Sequence, residues 1–236
     1  MKKLLLIIFL FISFFAYSSK KLILVYERGS VEAVESAKKI EAKFKQLYPN
    51  INIVIPILAP DIDKEILLTS ETELIFYFIG HSDKIDEADA EIYGGLMMSL
   101  KSFNSLSELT SENIKEYIYL SGNLTKSLQL ISGDKLVIID GCYCESAYRS
   151  LKNTSWLFCS SKDQPGCSIR NEGLLFSDYL AKNLTYNISI SELSETINKE
   201  LYSNKLFITN KKYMWVKNKP TNESPTKSKY YGEYVF

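Results

Sequence analysis

Two side-chain types in this sequence can do covalent chemistry together: the thiols of four cysteines and a single imidazole. His81, the only histidine in 236 residues, follows the apolar run 73–79 in the turn Gly80-His81-Ser82. Cys142 follows the apolar run 135–140 in the turn Gly141-Cys142-Tyr143-Cys144. A thiol becomes a strong nucleophile when an imidazole takes its proton, and the imidazole then returns that proton to the leaving group. A lone His after a strand, or a lone Cys closing an apolar run, is most often structural. Both at one sheet edge, each beside a glycine, make the stronger signal. One imidazole also excludes sites that need two, including most catalytic zinc sites.

That pairing requires a sheet whose strands end side by side. Ligands bind outside the carboxyl ends of the strands in an open parallel sheet, where neighbouring strands lie about 4.8 Å apart. The sequence supplies such strands. Residues 22–26, 73–79, 135–140 and 155–160 are short, mostly apolar runs, the pattern of strands covered on both faces. Residues 51–58 read as a further strand with Pro56 marking its end or an edge. Ser30 caps a helix whose apolar positions Val31, Val34, Ala37, Ile40, Phe44 and Leu47 recur every three or four residues, and Pro49 ends it. Helices are predicted over 172–183 and 192–201, and over 111–131 with Gly122 able to break it. Residues 83–109 read as irregular, and their acids Asp83, Asp86, Glu87, Asp89 and Glu91 as a solvated loop rather than a cation site. Residues 217–229 read as a polar loop and 232–236 as a closing strand. The fold class is α/β: a three-layer sandwich with a mostly parallel sheet of about six strands and helices on both faces.

Apolar residues make up 46% and charged residues 24%, a globular balance. Lys and Arg total 28 against 28 for Asp and Glu, so there is no basic surplus to hold a nucleic acid. The chain opens Met1-Lys2-Lys3 and runs apolar from 4 to 16, shorter than the roughly 20 residues of a membrane span. Small residues at Ala16 and Ser18 mark a cleavage site, so residues 1–18 read as a signal peptide and 19–236 as one domain. An uncleaved anchor is the alternative. No later stretch is apolar enough to span a bilayer, so the processed protein is expected in the secretory lumen or outside the cell, away from the membrane. Sequons at Asn123, Asn153, Asn183, Asn187 and Asn222 fit a eukaryotic secretory route.

Several segments carry a family resemblance. Residues 75–81, Ile-Phe-Tyr-Phe-Ile-Gly-His, resemble the strand and Gly-His motif of caspase-like peptidases. Residues 136–142, Leu-Val-Ile-Ile-Asp-Gly-Cys, resemble their strand ending Asp-x-Cys. Ser160-Ser161-Lys162-Asp163-Gln164, the stretch 173–180, Pro220 and the terminal 232–236 resemble the later part of the domain in metacaspases and bacterial relatives. The resemblance runs from about residue 21 to 236. It implies Cys142 as nucleophile, His81 as acid/base, and an oxyanion hole from the backbone N–H groups of Ser82 and Cys142. It implies Asp140 in the substrate pocket, selecting Arg or Lys before the scissile bond. It implies a peptide or protein substrate and no cofactor, with a regulatory cation only by analogy with metacaspases. The chain departs from the pattern in three places. Ser82 stands where the family usually has Gly, Tyr143-Cys144-Glu145 replaces x-Ser-Gly, and Glu27-Arg28 leads straight into the helix without the acid that metacaspases place after the first strand.

The cysteines are Cys142, Cys144, Cys159 and Cys167. An even count in an oxidising compartment suggests bridges. A catalytic Cys142 must stay reduced, which leaves three; of these, Cys159 and Cys167 are expected to bridge across a short loop, with Cys144 unpaired. Two bridges and no enzyme is the alternative. The reading is a secreted caspase-like cysteine endopeptidase; an inactive homologue serving as a binding module and a legumain-like asparaginyl peptidase remain beside it.

Overall fold

The structure, a computed structural model, describes residues 19–71, 73–103, 108–163, 168–169, 173–203 and 227–236. The expected signal peptide therefore lies outside the described residues, as do Gln164, Cys167, Pro220 and Asn222.

The main sheet has six strands in the order β11-β8-β7-β3-β1-β2. β1 (Lys20–Tyr26), β2 (Asn52–Val54), β3 (Glu73–Ile79), β7 (Asp134–Asp140) and β8 (Thr154–Phe158) are parallel. β11 (Lys229–Tyr231) closes one edge antiparallel to β8. The apolar residues of β1, β3 and β7 are buried on both faces, which is why these strands lack polar alternation.

Chain direction explains the layers. From β1 the chain passes through α1 (Val31–Leu47) to β2 at the edge. It then reverses across β1 through α2 (Ala59–Leu67) to β3. Parallel crossovers are right-handed, so the reversal puts α1 and α2 on opposite faces. α1 packs with α6 (Leu175–Asn183), which packs with α7 (Ile190–Ser203); α2 packs with α5 (Ser121–Gln129). Ser30 caps α1 as expected, its hydroxyl accepting from the Ala33 N–H at 3.2 Å.

Between β3 and β7 lies a second, smaller sheet instead of an irregular loop. Its strands are β4 (Ser82–Lys84), β5 (Leu96–Ser99) and β6 (Ile118–Leu120), in antiparallel order β4-β5-β6. The acidic run is split between β4 and the short helix α3 (Glu87–Tyr93), where these acids stand largely in solvent. The expected helix over 111–131 is instead α4 (Ile114–Tyr117), β6 and α5. The change of direction is tertiary: Gly94 and Gly122 approach so closely that a Cβ on either would overlap the other's backbone. The second strand is only three residues long, because Pro56 lacks a ladder donor and Pro60 starts α2. The closing strand is β11, ahead of the expected 232–236, where only Val235 makes a bridge, to Ser189. β9 (Ser168–Ile169) and β10 (Gly173–Leu174) form a two-stranded ribbon leading into α6.

Candidate active site

Strand register brings the chemistry to one place. Tyr26 pairs with Ile79, and Ile79 pairs with Asp140. The residues that follow, Glu27, then Gly80-His81, then Gly141-Cys142, leave the sheet side by side, with His81 from the central strand of the three. The Gly80 N–H bonds the Asp140 carbonyl at 3.0 Å and the Glu27 N–H bonds the Ile79 carbonyl at 2.9 Å, carrying the pairing to the last residue.

Glu27 is 3% exposed and lies under the histidine. One carboxylate oxygen, Oε2, takes His81 Nδ1 at 2.5 Å and the His81 backbone N–H at 2.9 Å. The other, Oε1, accepts from the Ser102 hydroxyl at 2.7 Å. Gly80 makes this approach feasible, since a Cβ there would lie 2.6 Å from the Glu27 Cβ. With Nδ1 donating to Glu27, a neutral ring carries its lone pair on Nε2, the nitrogen that does not bond Glu27. The Glu27 bond raises the His81 pKa and outweighs the opposing effect of burial. Burial pushes the Glu27 carboxyl up, but its bonds to His81 and Ser102 prevail and hold it below the ordinary value. Glu27, directly after β1, is a site carboxylate that the sequence reading left without a role. The same signal that marked His81 and Cys142, a chemistry-bearing residue just past a strand end, was present at Glu27. Ser102 had no local signal; it comes from a distant loop tied by its N–H to the Arg28 carbonyl at 2.9 Å.

The Cys142 turn is tightly held. Ser82 Oγ donates to the Cys142 carbonyl at 2.7 Å, linking the two turns directly. Gly141 lies against Ser82 and Gly80, where a Cβ would be 2.3 Å from Ser82 Oγ and 2.7 Å from the Gly80 carbonyl. The Gly141 carbonyl accepts from Cys159 Sγ at 2.8 Å, Cys144 Sγ at 3.0 Å and Ser160 Oγ at 3.1 Å. Tyr143 takes the left-handed conformation at φ 54°, a costly one for a residue with a side chain. The chain thus turns sharply just after Cys142, which is half-buried. Lys84 lies over the Tyr143 ring, 5.7 Å from its centre.

Ser82 needs no glycine-like backbone, for it is absent from the positive-φ residues and sits in β4. His81 and Ser99 are a hydrogen-bonded pair of the small sheet, with the Ser99 N–H on the His81 carbonyl at 2.9 Å. Such pairs alternate, so Ser82, opposite Met98, is of the other kind, and its N–H points away from β5.

Asp140 differs from its expected place. Its side chain is wholly buried and turned towards α6, where Oδ2 accepts from the Ser177 N–H at 3.0 Å and the Ser177 hydroxyl at 2.6 Å. Oδ1 has no hydrogen-bond partner, and the Ser177 bonds and the Cys159 thiol only partly offset the burial of the carboxyl. Burial raises the Asp140 pKa to about 6. The side chain caps the start of α6 and shares no open surface with Cys142.

The expected Cys159–Cys167 bridge is not formed: Cys159 is an unbridged, buried thiol turned inwards to Gly141 and Cys144, and Cys167 lies outside the described residues. Of the sequon asparagines, Asn153 and Asn187 are exposed, and Asn123 and Asn183 are half-buried. Among the described residues, no group of three or more His, Cys, Asp or Glu side chains gathers in a way that could hold a metal ion, and no helix is long and apolar enough to cross a membrane.

No family model and no curated protein matches the chain. The solved structure of caspase-1 from Spodoptera frugiperda is similar to it in fold, with a TM-score of 0.60 over 91% of this chain and 86% of that one, at 14% identity. The chain has a caspase-like fold, with Glu27, His81 and Cys142 brought to one edge of its sheet.

Proposed function

We propose that the protein is a secreted cysteine endopeptidase, nearer to metacaspases than to caspases in its motifs. The observation that carries this reading is the in-register convergence of Glu27, His81 and Cys142 at the carboxyl ends of β1, β3 and β7. Glu27 fixes the ring and its tautomer, and holds the positive charge when the ring is protonated. The Cys142 thiolate attacks the peptide carbonyl. His81 Nε2 gives its proton to the leaving amine, and the acyl-enzyme is released by water, which the same nitrogen deprotonates. The developing oxyanion takes hydrogen bonds from the N–H groups of Ser82 and Cys142. Ser82 contributes in a second way, because its hydroxyl fixes the Cys142 carbonyl and so the direction of the nucleophile's peptide unit.

Export follows from processing of residues 1–18. The expected preference for Arg or Lys keeps no support from Asp140, whose carboxylate is buried against Ser177. The experiment is mass spectrometry of the processed protein after treatment with a peptidyl electrophile ending in Arg. A single adduct on Cys142, lost in Cys142→Ala and slowed in His81→Ala, is expected. A folded protein that takes no label at Cys142 would instead be a binding module of the same fold.

A further inference from the structure

Behind the nucleophile's turn, two other thiols are in contact. Cys144 and Cys159 are 0% and 1% exposed, unbridged, and their sulfurs are 3.6 Å apart. They belong to different segments. Cys144 opens the 3-10 turn Cys144–Ala147 after Cys142, while Cys159 stands just past the end of β8, its N–H on the Ile139 carbonyl at 3.1 Å. We propose that Cys144 and Cys159 form a disulfide in the exported protein, tying the turn that carries Cys142 to the end of β8.

The geometry needs little change. A disulfide bond is about 2.05 Å long, so the sulfurs must approach by roughly 1.5 Å, within reach of small rotations about the two Cα–Cβ bonds. Both thiols already converge on one acceptor, the Gly141 carbonyl, so they face each other across it. Bridging removes both S–H donors from that carbonyl, and Ser160 Oγ remains to satisfy it. The chemistry balances as thiol–disulfide exchange. One cysteine thiolate attacks oxidised glutathione, forming a mixed disulfide and releasing one glutathione thiolate. The second cysteine thiolate attacks the protein sulfur of that disulfide and releases the other. Two protein S–H groups are oxidised, two glutathione thiols are produced, and the protons end on them. Because both sites are sealed in the folded protein, exchange belongs to the folding chain, before β8 and the turn close on each other. The bridge would also occupy Cys144, a thiol only two residues from the proposed nucleophile, and so keep it from capturing the Cys142 sulfur where oxidants abound.

The inference concerns thiol pairing alone and stands apart from peptidase activity. Its test is disulfide mapping of the protein as exported from an expressing cell, and of the same protein refolded in glutathione buffer rich in the oxidised form. Both are quenched in acid, alkylated with iodoacetamide and cut with chymotrypsin. Cleavage after Tyr143 separates Cys142 from Cys144, cleavage after Phe158 releases Cys159, and a second cut by trypsin after Lys162 separates Cys159 from Cys167. The expected result is a Cys144 peptide joined to a Cys159 peptide, with iodoacetamide on Cys142, and the same pair in Cys167→Ser. Cys159 joined to Cys167, either thiol joined to Cys142, or both alkylated in the oxidising buffer would overturn the proposal. A bridged protein that ignores the peptidyl electrophile would leave this pairing intact while removing the peptidase.

Discussion

Replacing Glu27 by Gln tests the part of the site that the fold alone assembles. The substitution keeps shape and removes charge. Glu27 makes three hydrogen bonds, two of them to His81, in a place only 3% exposed. A hydrogen bond to a charged group is worth about 1.5–3 kcal/mol, or roughly ten- to a hundredfold in rate at 1.36 kcal/mol per tenfold. The imidazole itself is 70% exposed, so solvent screens the interaction, and the loss should fall near the lower end, about tenfold. The pH dependence has a defined sign. His81 titrates above its ordinary 6.5 and Glu27 below its ordinary 4.5 in the folded protein. The pair's stabilisation is therefore complete between those ordinary values. It is lost as pH rises through the raised His81 midpoint, and as pH falls through the depressed Glu27 midpoint. Because the chain has one histidine, an untagged protein gives one imidazole resonance, and its titration by NMR needs no assignment. In Glu27→Gln that midpoint should fall towards 6.5. The rate of Cys142 labelling by the peptidyl electrophile should drop about tenfold at neutral pH. An unchanged midpoint together with an unchanged labelling rate, in a variant with wild-type circular dichroism, would refute the positioning role.

Further outcomes are expected. Cys142→Ala should abolish peptide cleavage and His81→Ala should reduce it by roughly 10²-fold or more, whereas Cys144→Ser, which keeps a donor for the Gly141 carbonyl, should retain it under reducing conditions; full cleavage by Cys142→Ala defeats the assignment. Asp140 holds its proton in the folded state up to about 6 against 3.8 when exposed, so the native chain binds more protons across that window and loses stability as pH rises. Denaturant unfolding should then show Asp140→Asn gaining on the wild type by up to about 3 kcal/mol between pH 4 and 7. Gly141→Ala puts a Cβ against Ser82 Oγ and the Gly80 carbonyl, and should lower the melting temperature and block labelling together; a variant that labels normally would show that the two turns need not touch.

Much of this protein was legible in its sequence, and for a simple reason. Strands buried on both faces must be continuously apolar, so β1, β3, β7 and β8 declare themselves within a residue or two of their ends, and the 3.6-residue period with Ser30 before it declares α1. Residues just past those strands then stand out, which is how His81 and Cys142 are found. What the sequence cannot carry is register and facing. Glu27 meets His81 because Tyr26 aligns with Ile79, a pairing between strands more than 40 residues apart that no local pattern encodes. Asp140 has the composition of a pocket residue, yet the turn of the last strand residue aims it at Ser177 on α6. The small sheet β4-β5-β6 escapes the sequence because each strand has only three or four residues, too few to show alternation, and exists only through its neighbours. The cysteines make the same point. Spacing along the chain favours Cys159 with Cys167, but distance in space is decided by β7 lying beside β8, and that adjacency sets Cys144 against Cys159.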